Sequence, residues 1–127
     1  MNTDEHGLIL NEITEKIIGC AYEISNVLGC GFLEKVYENA LVYEIRKTGL
    51  VVAQQYGIRV CYEDIVVGEY IADLLVEERV LVEIKAIKAL DKIHLAQCLN
   101  YLKATKLPVC LLMNFGKPRV EIQRIVY

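Results

Sequence analysis

Apolar residues first recur at a helical period and then change to a strand period. From Ile9 to Leu28 the apolar positions Ile13, Ile17, Ala21, Ile24 and Leu28 step by three or four, which predicts an amphipathic helix that Gly29 can end. A second helix is predicted over about Phe32–Thr48, with Leu33, Val36, Tyr37, Ala40 and Leu41 inward and Gly49 at its end. The period then becomes two. Residues 51–63, 65–76 and 79–87 read as three strands, with a turn at Glu63-Asp64 between the first two. Asp91 is placed to cap a third helix through about Thr105, with Leu95, Leu99 and Leu102 inward and Pro108 beyond its end. Two more strands follow, residues 109–115 and 120–127, around a Gly116-Lys117-Pro118 turn. The order ααβββαββ, a meander followed by a helical crossover, predicts an α/β fold with helices packed on a central mixed sheet.

One part of this pattern is out of place. In the third strand Glu83 and Lys85 occupy positions where an apolar run asks for Val or Leu, and Asp73 does the same in the strand before it. Alternation points Glu83 and Lys85 one way and Val82 and Ile84 the other. Burying such charges costs several kcal/mol each unless they are paired or bind something. Directly opposed residues of a hairpin share a face. Asp73 can oppose Glu83 only across a three-residue loop, Glu77-Glu78-Arg79, or across a bulge that restores the phase. Two carboxylates and a lysine on one face suit a hard cation such as Mg²⁺ or Mn²⁺, with the lysine acting on an attacking water or a phosphate. An internal salt bridge of Lys85 with one acid is the competing explanation.

The helices add further anomalies. Glu34 projects between Tyr37, Leu41 and Ile45, inside the apolar arc of the second helix. His94, Gln97 and Tyr101 step along one face of the third. One pocket would account for all of these residues; solvated helix faces are the simpler alternative.

Composition then narrows the setting. The 127 residues, 54% hydrophobic and 24% charged, suit one globular domain spanning 1–127. No apolar run is long enough for a bilayer span, and the N-terminus lacks the apolar core of a signal peptide, so a cytoplasmic address is expected. The five cysteines are odd in number and lack zinc-site spacing, so they read as small buried hydrophobes. The net charge of −3 argues weakly against a nucleic-acid binder, but the charge is unevenly spread. Residues 1–78 hold 5 Lys/Arg against 14 Asp/Glu, and residues 79–127 hold 9 against 3. Shared on one face, the later cations Arg79, Lys85, Lys88, Lys92, Lys103, Lys106, Lys117, Arg119 and Arg124 could follow a phosphate backbone; a solvated mixed surface is the alternative.

These residues resemble a known family. Gly31 to Tyr37, "GFLEKVY", matches the signature of the GxxExxY protein family. Asp73 with Glu83-Ile84-Lys85 is similar to the PD-(D/E)XK nuclease core, and Gln97 to Tyr101 to the QxxxY motif of its RecB-like branch. Leu111 to Gly116, "LLMNFG", is also typical of the GxxExxY group, whereas Ser25 and Cys30 stand where many members carry His and Pro. The resemblance implies an αβββαβ nuclease core with one extra helix in front and one strand behind. It implies a metal-dependent nuclease in which Asp73, Glu83, the Ile84 carbonyl and Glu34 hold Mg²⁺ or Mn²⁺ and Lys85 assists water attack. Gln97, Tyr101, His94 and Lys88 would support the site or touch nucleic acid, DNA ahead of RNA. The alternative function is a nuclease-fold binding or regulatory module acting with a protein partner. A homodimer paired through the apolar last strand is a further expectation.

Overall fold

A computed structural model describes residues 9–127; the first eight residues of the expected 1–127 domain lie outside the described residues. Helices α1 (Leu10–Leu28) and α2 (Glu34–Lys47) precede strands β1 (Val52–Tyr62), β2 (Ile65–Val76) and β3 (Val80–Lys85). Helix α3 (Lys92–Thr105) and strands β4 (Val109–Asn114) and β5 (Glu121–Val126) complete the chain. The five strands form one sheet in the order β1-β2-β3-β4-β5, in which only β3 and β4 are parallel. α3 makes the crossover that a parallel pair requires. This is the expected mixed α/β architecture. No helix among the described residues is long and apolar enough to cross a membrane.

The sheet has a core on each face. Ile13, Ile17 and Ile24 of α1 and Tyr37, Leu41 and Ile45 of α2 cover one side, against Val80, Val82, Ile84, Leu111 and Met113. Cys98, Tyr101 and Leu102 of α3 cover the other, against Leu81, Cys110 and Leu112. β3 and β4 are therefore buried on both faces, which explains their continuous apolar runs.

Several local expectations need correction. α2 begins at Glu34, not Phe32, and its inward face is Tyr37, Glu38, Leu41, Val42 and Ile45. Leu33 (81% exposed) and Val36 lie outside the core. Cys30 and Cys61 are exposed, unlike Cys20, Cys98 and Cys110, and all five are free thiols. The basic second half does not form one face: Arg124 donates to Thr14 and Asn11 of α1, Lys117 pairs with Glu121, and Arg119 lies over the Tyr22 ring.

The segment after β3 is held by buried Asn114. Its Oδ1 accepts the N–H of Ile87 and of Gly116, and its Nδ2 donates to the Ile87 carbonyl. Phe115 N–H donates to the Lys85 carbonyl at 2.8 Å. Gly116 packs directly on this segment, so a Cβ there would collide with the Ile87 backbone nitrogen and oxygen. Gly116→Ala is accordingly expected to cost roughly 2–4 kcal/mol. Urea unfolding at unchanged m-value checks it; a loss below about 0.5 kcal/mol would show that the loop yields freely.

Candidate active site

The β2–β3 hairpin has the register that opposed carboxylates require. Leu74 lies across from Val82 and Val76 from Val80, which leaves Glu77, Glu78 and Arg79 as a three-residue loop. Glu77 and Glu78 adopt left-handed backbone (φ 53° and 54°), and Arg79 N–H closes the turn on the Val76 carbonyl. Beyond Leu74 the two strands part. β3 stays with β4, while β2 continues with β1 as a projecting hairpin.

A second irregularity falls at the same level. Gln54 lies across from Leu74 and Tyr56 from Ala72, an unbroken register. Yet Leu74 packs against α1 and α2, whereas Ala72 and Tyr56 pack on the α3 side. Regular alternation would put Leu74 and Ala72 on one face. Both strands therefore invert at the Gln55–Asp73 level, where Gln55 takes a left-handed φ of 60°. Asp73 and Glu83 meet at a fork in the sheet rather than along a straight strand pair.

At the fork, side chains take over from the backbone ladder. Asp73 N–H donates to Glu83 Oε1 at 2.8 Å, and Ile84 N–H donates to Asp73 Oδ2 at 2.7 Å. Each carboxylate satisfies an N–H left unpaired where the strands part. Burial pushes the Glu83 carboxyl up to about 8, and the neighbouring Asp73 charge adds to the effect. Burial also raises Asp73, against the hydrogen bond from Ile84 N–H. The Lys85 charge lowers both acids. Lys85 is half-buried and, among the described residues, closes no ion pair with either acid, so the internal salt bridge is not formed.

The cleft beside Asp73 is lined by Glu34, Glu38, Gln55 and Ala86. Glu34 sits exposed in the first turn of α2. The motif around it has a structural basis. Gly31 has φ 114°, and buried Tyr37 donates its hydroxyl to the Gly29 carbonyl at 2.7 Å while stacking on Phe115 at 4.7 Å. These contacts fix the entry to α2 and so the position of Glu34. Glu38, which sequence reasoning missed, is 3% exposed and accepts hydrogen bonds from Lys35, Gln54 and Gln55. Its spacing of four from Glu34 was the available signal.

The remaining candidates separate. Tyr101 is buried beside the acids; burial, then the charges of Glu83 and Asp73, push its hydroxyl up to about 12. Gln97 is half-buried on the side of α3 that faces Arg59 and Tyr70 of the β1–β2 hairpin. His94 caps the helix through one ring nitrogen: its Nδ1 accepts the Asp91 N–H, while Asp91 accepts from Ile93 N–H. Lys88 is exposed in the loop after β3. Ser25 is buried, and its hydroxyl oxygen accepts the Val120 N–H, a bond that ties α1 to the sheet.

The donor set is chemically suited to a hard divalent cation. It comprises carboxylate oxygens, two of them desolvated and adjacent, with the excess negative charge now relieved by a raised proton affinity. As they stand, no three His, Cys, Asp or Glu side chains among the described residues are grouped to hold an ion. Glu34 and Glu38 line the same cleft as Asp73, and their charges add to the rise of its carboxyl.

A family model for the PD-(D/E)XK nuclease superfamily matches residues 11–125. No curated protein and no solved structure matches the chain.

Proposed function

The chain belongs to the PD-(D/E)XK nuclease superfamily, and from that premise we propose that it hydrolyses phosphodiester bonds of nucleic acid, DNA ahead of RNA, at the fork between β2 and β3. The reading rests on one observation above the others. Two desolvated carboxylates, Asp73 and Glu83, meet beside a lysine that pairs with neither. Asp73, Glu83, the Ile84 carbonyl and Glu34 are the groups that would hold Mg²⁺ or Mn²⁺. A bound divalent ion supplies Lewis-acid polarisation of the phosphate and of the water that attacks it.

The chain's own residues have distinct parts. The two carboxylates are kept in place by backbone N–H groups, which pre-organises their oxygens. The Lys85 ammonium neutralises charge that builds on the phosphate or orients the attacking water. Tyr37 and Asn114 hold the segments that carry Glu34 and Lys85. The GxxExxY group and the RecB-like branch are the subfamilies that the motifs Gly31–Tyr37 and Gln97–Tyr101 favour, in a cytoplasmic setting.

Labelled single-stranded DNA, duplex DNA and RNA incubated with Mg²⁺, Mn²⁺ or EDTA test this, with wild type and Asp73→Ala purified side by side. Cleavage that needs the metal and falls at least about a hundredfold in the variant is expected. Equal cutting by both proteins, or none on any polymer, would remove the assignment. A second reading, a nuclease-fold module that works beside a partner, draws on the exposed apolar tip of the β1–β2 hairpin, Tyr62, Ile65, Val66 and Val67.

A further inference from the structure

A groove of about 680 Å³ runs between α3 and the β1–β2 hairpin, apart from the cleft beside Asp73. Three cations, Arg59, Lys103 and Lys106, line it, and no Asp or Glu does. That is notable in a chain of net charge −3. Lys103 and Lys106 are exposed. Arg59 reaches Glu69 only at 3.9 Å, and both side chains are largely in water, so the pair is weak. Between these charges lie apolar surfaces that the core does not use. Tyr70 is 51% exposed and Ile93 is 70% exposed. Tyr70 lies against Tyr101 with ring centroids 5.9 Å apart, and Tyr101 is the residue whose hydroxyl feels the Asp73 and Glu83 charges. Tyr101 therefore lines the groove and lies within electrostatic reach of the acids.

A polyanion with flat apolar faces fits this lining. We propose that the groove seats single-stranded nucleic acid, with phosphates along Arg59, Lys103 and Lys106 and unpaired bases against Tyr70 and Ile93. The groove rests on the nuclease reading only for where the strand leads. Stacking on an exposed ring needs a base whose face is free, and a duplex hides those faces inside its own stack. Gln97 and Asn100, on the same wall, carry amides that can meet base edges without demanding one sequence. The volume matches pockets that enclose a small molecule, room for a few unpaired nucleotides rather than for the breadth of a duplex. The sequence hid this arrangement because Arg59 belongs to the acidic half and meets the two lysines only in the fold.

Fluorescence anisotropy in EDTA, where cleavage is absent, tests the groove independently of catalysis. The probes are labelled oligothymidylate and a labelled duplex of equal length. The wild type is expected to bind the single strand at least about tenfold more tightly than the duplex. Lys103→Glu with Lys106→Glu should weaken single-strand binding by about a hundredfold and flatten its salt dependence. Tyr70→Ala should weaken it by about tenfold. The matched charge reversal Lys16→Glu with Lys47→Glu, placed on α1 and α2, should change it by less than about threefold. Equal affinity for duplex, no single-strand binding, or groove variants that behave like the matched pair would overturn the proposal. The two readings fail separately: a protein that cuts but ignores the groove substitutions loses only the groove, and one that binds through the groove but never cuts loses only the nuclease.

Discussion

Glu83→Gln is expected to melt well above the wild type at pH 8 in EDTA and close to it at pH 4. The cause is proton linkage. The Glu83 carboxyl, 4.5 in its ordinary state, is pushed up to about 8 by burial and by the Asp73 charge. The folded state then binds more protons than the unfolded state between these values. Stability therefore falls as pH rises through that window, and the contribution is fully present only below the unfolded value. Asp73, also raised, acts in the same direction. Gln keeps an oxygen to accept the Asp73 N–H, and its amide can donate to the Asp73 carboxylate, but it carries no charge to desolvate. The gain at pH 8 is on the order of 3 kcal/mol, or roughly 10 °C in a domain of this size. Thermal melts of both proteins across pH measure it. Parallel curves would mean that the Glu83 charge is already neutralised in the fold.

The same experiment separates structural from functional burial. If the carboxylate is retained to hold a cation, adding Mn²⁺ should raise the wild-type melting temperature at pH 8 by mass action and leave Glu83→Gln nearly where it was. A charge that costs stability in the free protein and regains it with an ion is hard to explain as packing. A shift that is equal in the two proteins would place the ion elsewhere.

How far the chain can be read without its fold depends on whether a signal is local. β3 and β4 were legible because strands buried on both faces must be apolar throughout, and Glu83 and Lys85 stand out against that background. Face parity narrowed the turn to a three-residue loop or a bulge, and the hairpin takes the first. The inversion at Gln55 and Asp73 did not, because it arises where β2 leaves β3 and no local sequence marks that event. Glu38 was missed for a related reason. A glutamate one turn after Glu34 reads as a solvated position until Gln54 and Gln55 arrive from β1 to bury it. Leu33 and Val36 misled in the opposite sense: they extend the apolar arc, but α2 starts at Glu34 and its first turn overhangs the cleft.

Lys85→Ala is expected to lose cleavage by about a thousandfold while it keeps its response to metal. Lys85 lies at the end of β3, two residues beyond Glu83 on the same face, and its backbone is pinned by Phe115 and the Asn114 clamp. Its charge is free to act on a phosphate because neither acid takes it in an ion pair. Removing that charge takes away the cation that lowers both carboxyls, so Asp73 and Glu83 should hold protons still more firmly. The variant should therefore need a higher pH for the same Mn²⁺-induced thermal shift, yet reach a comparable shift at saturation. Single-turnover cleavage and metal-dependent melting, run on one preparation, separate the two effects. Loss of the thermal shift together with cleavage would make Lys85 a support for the acids. Cleavage at the wild-type rate would move the chemistry to another residue. Loss of cleavage with the shift intact assigns Lys85 to the reacting phosphate or its water, because only a group outside the cation's own ligands can be removed at that cost to rate without cost to binding.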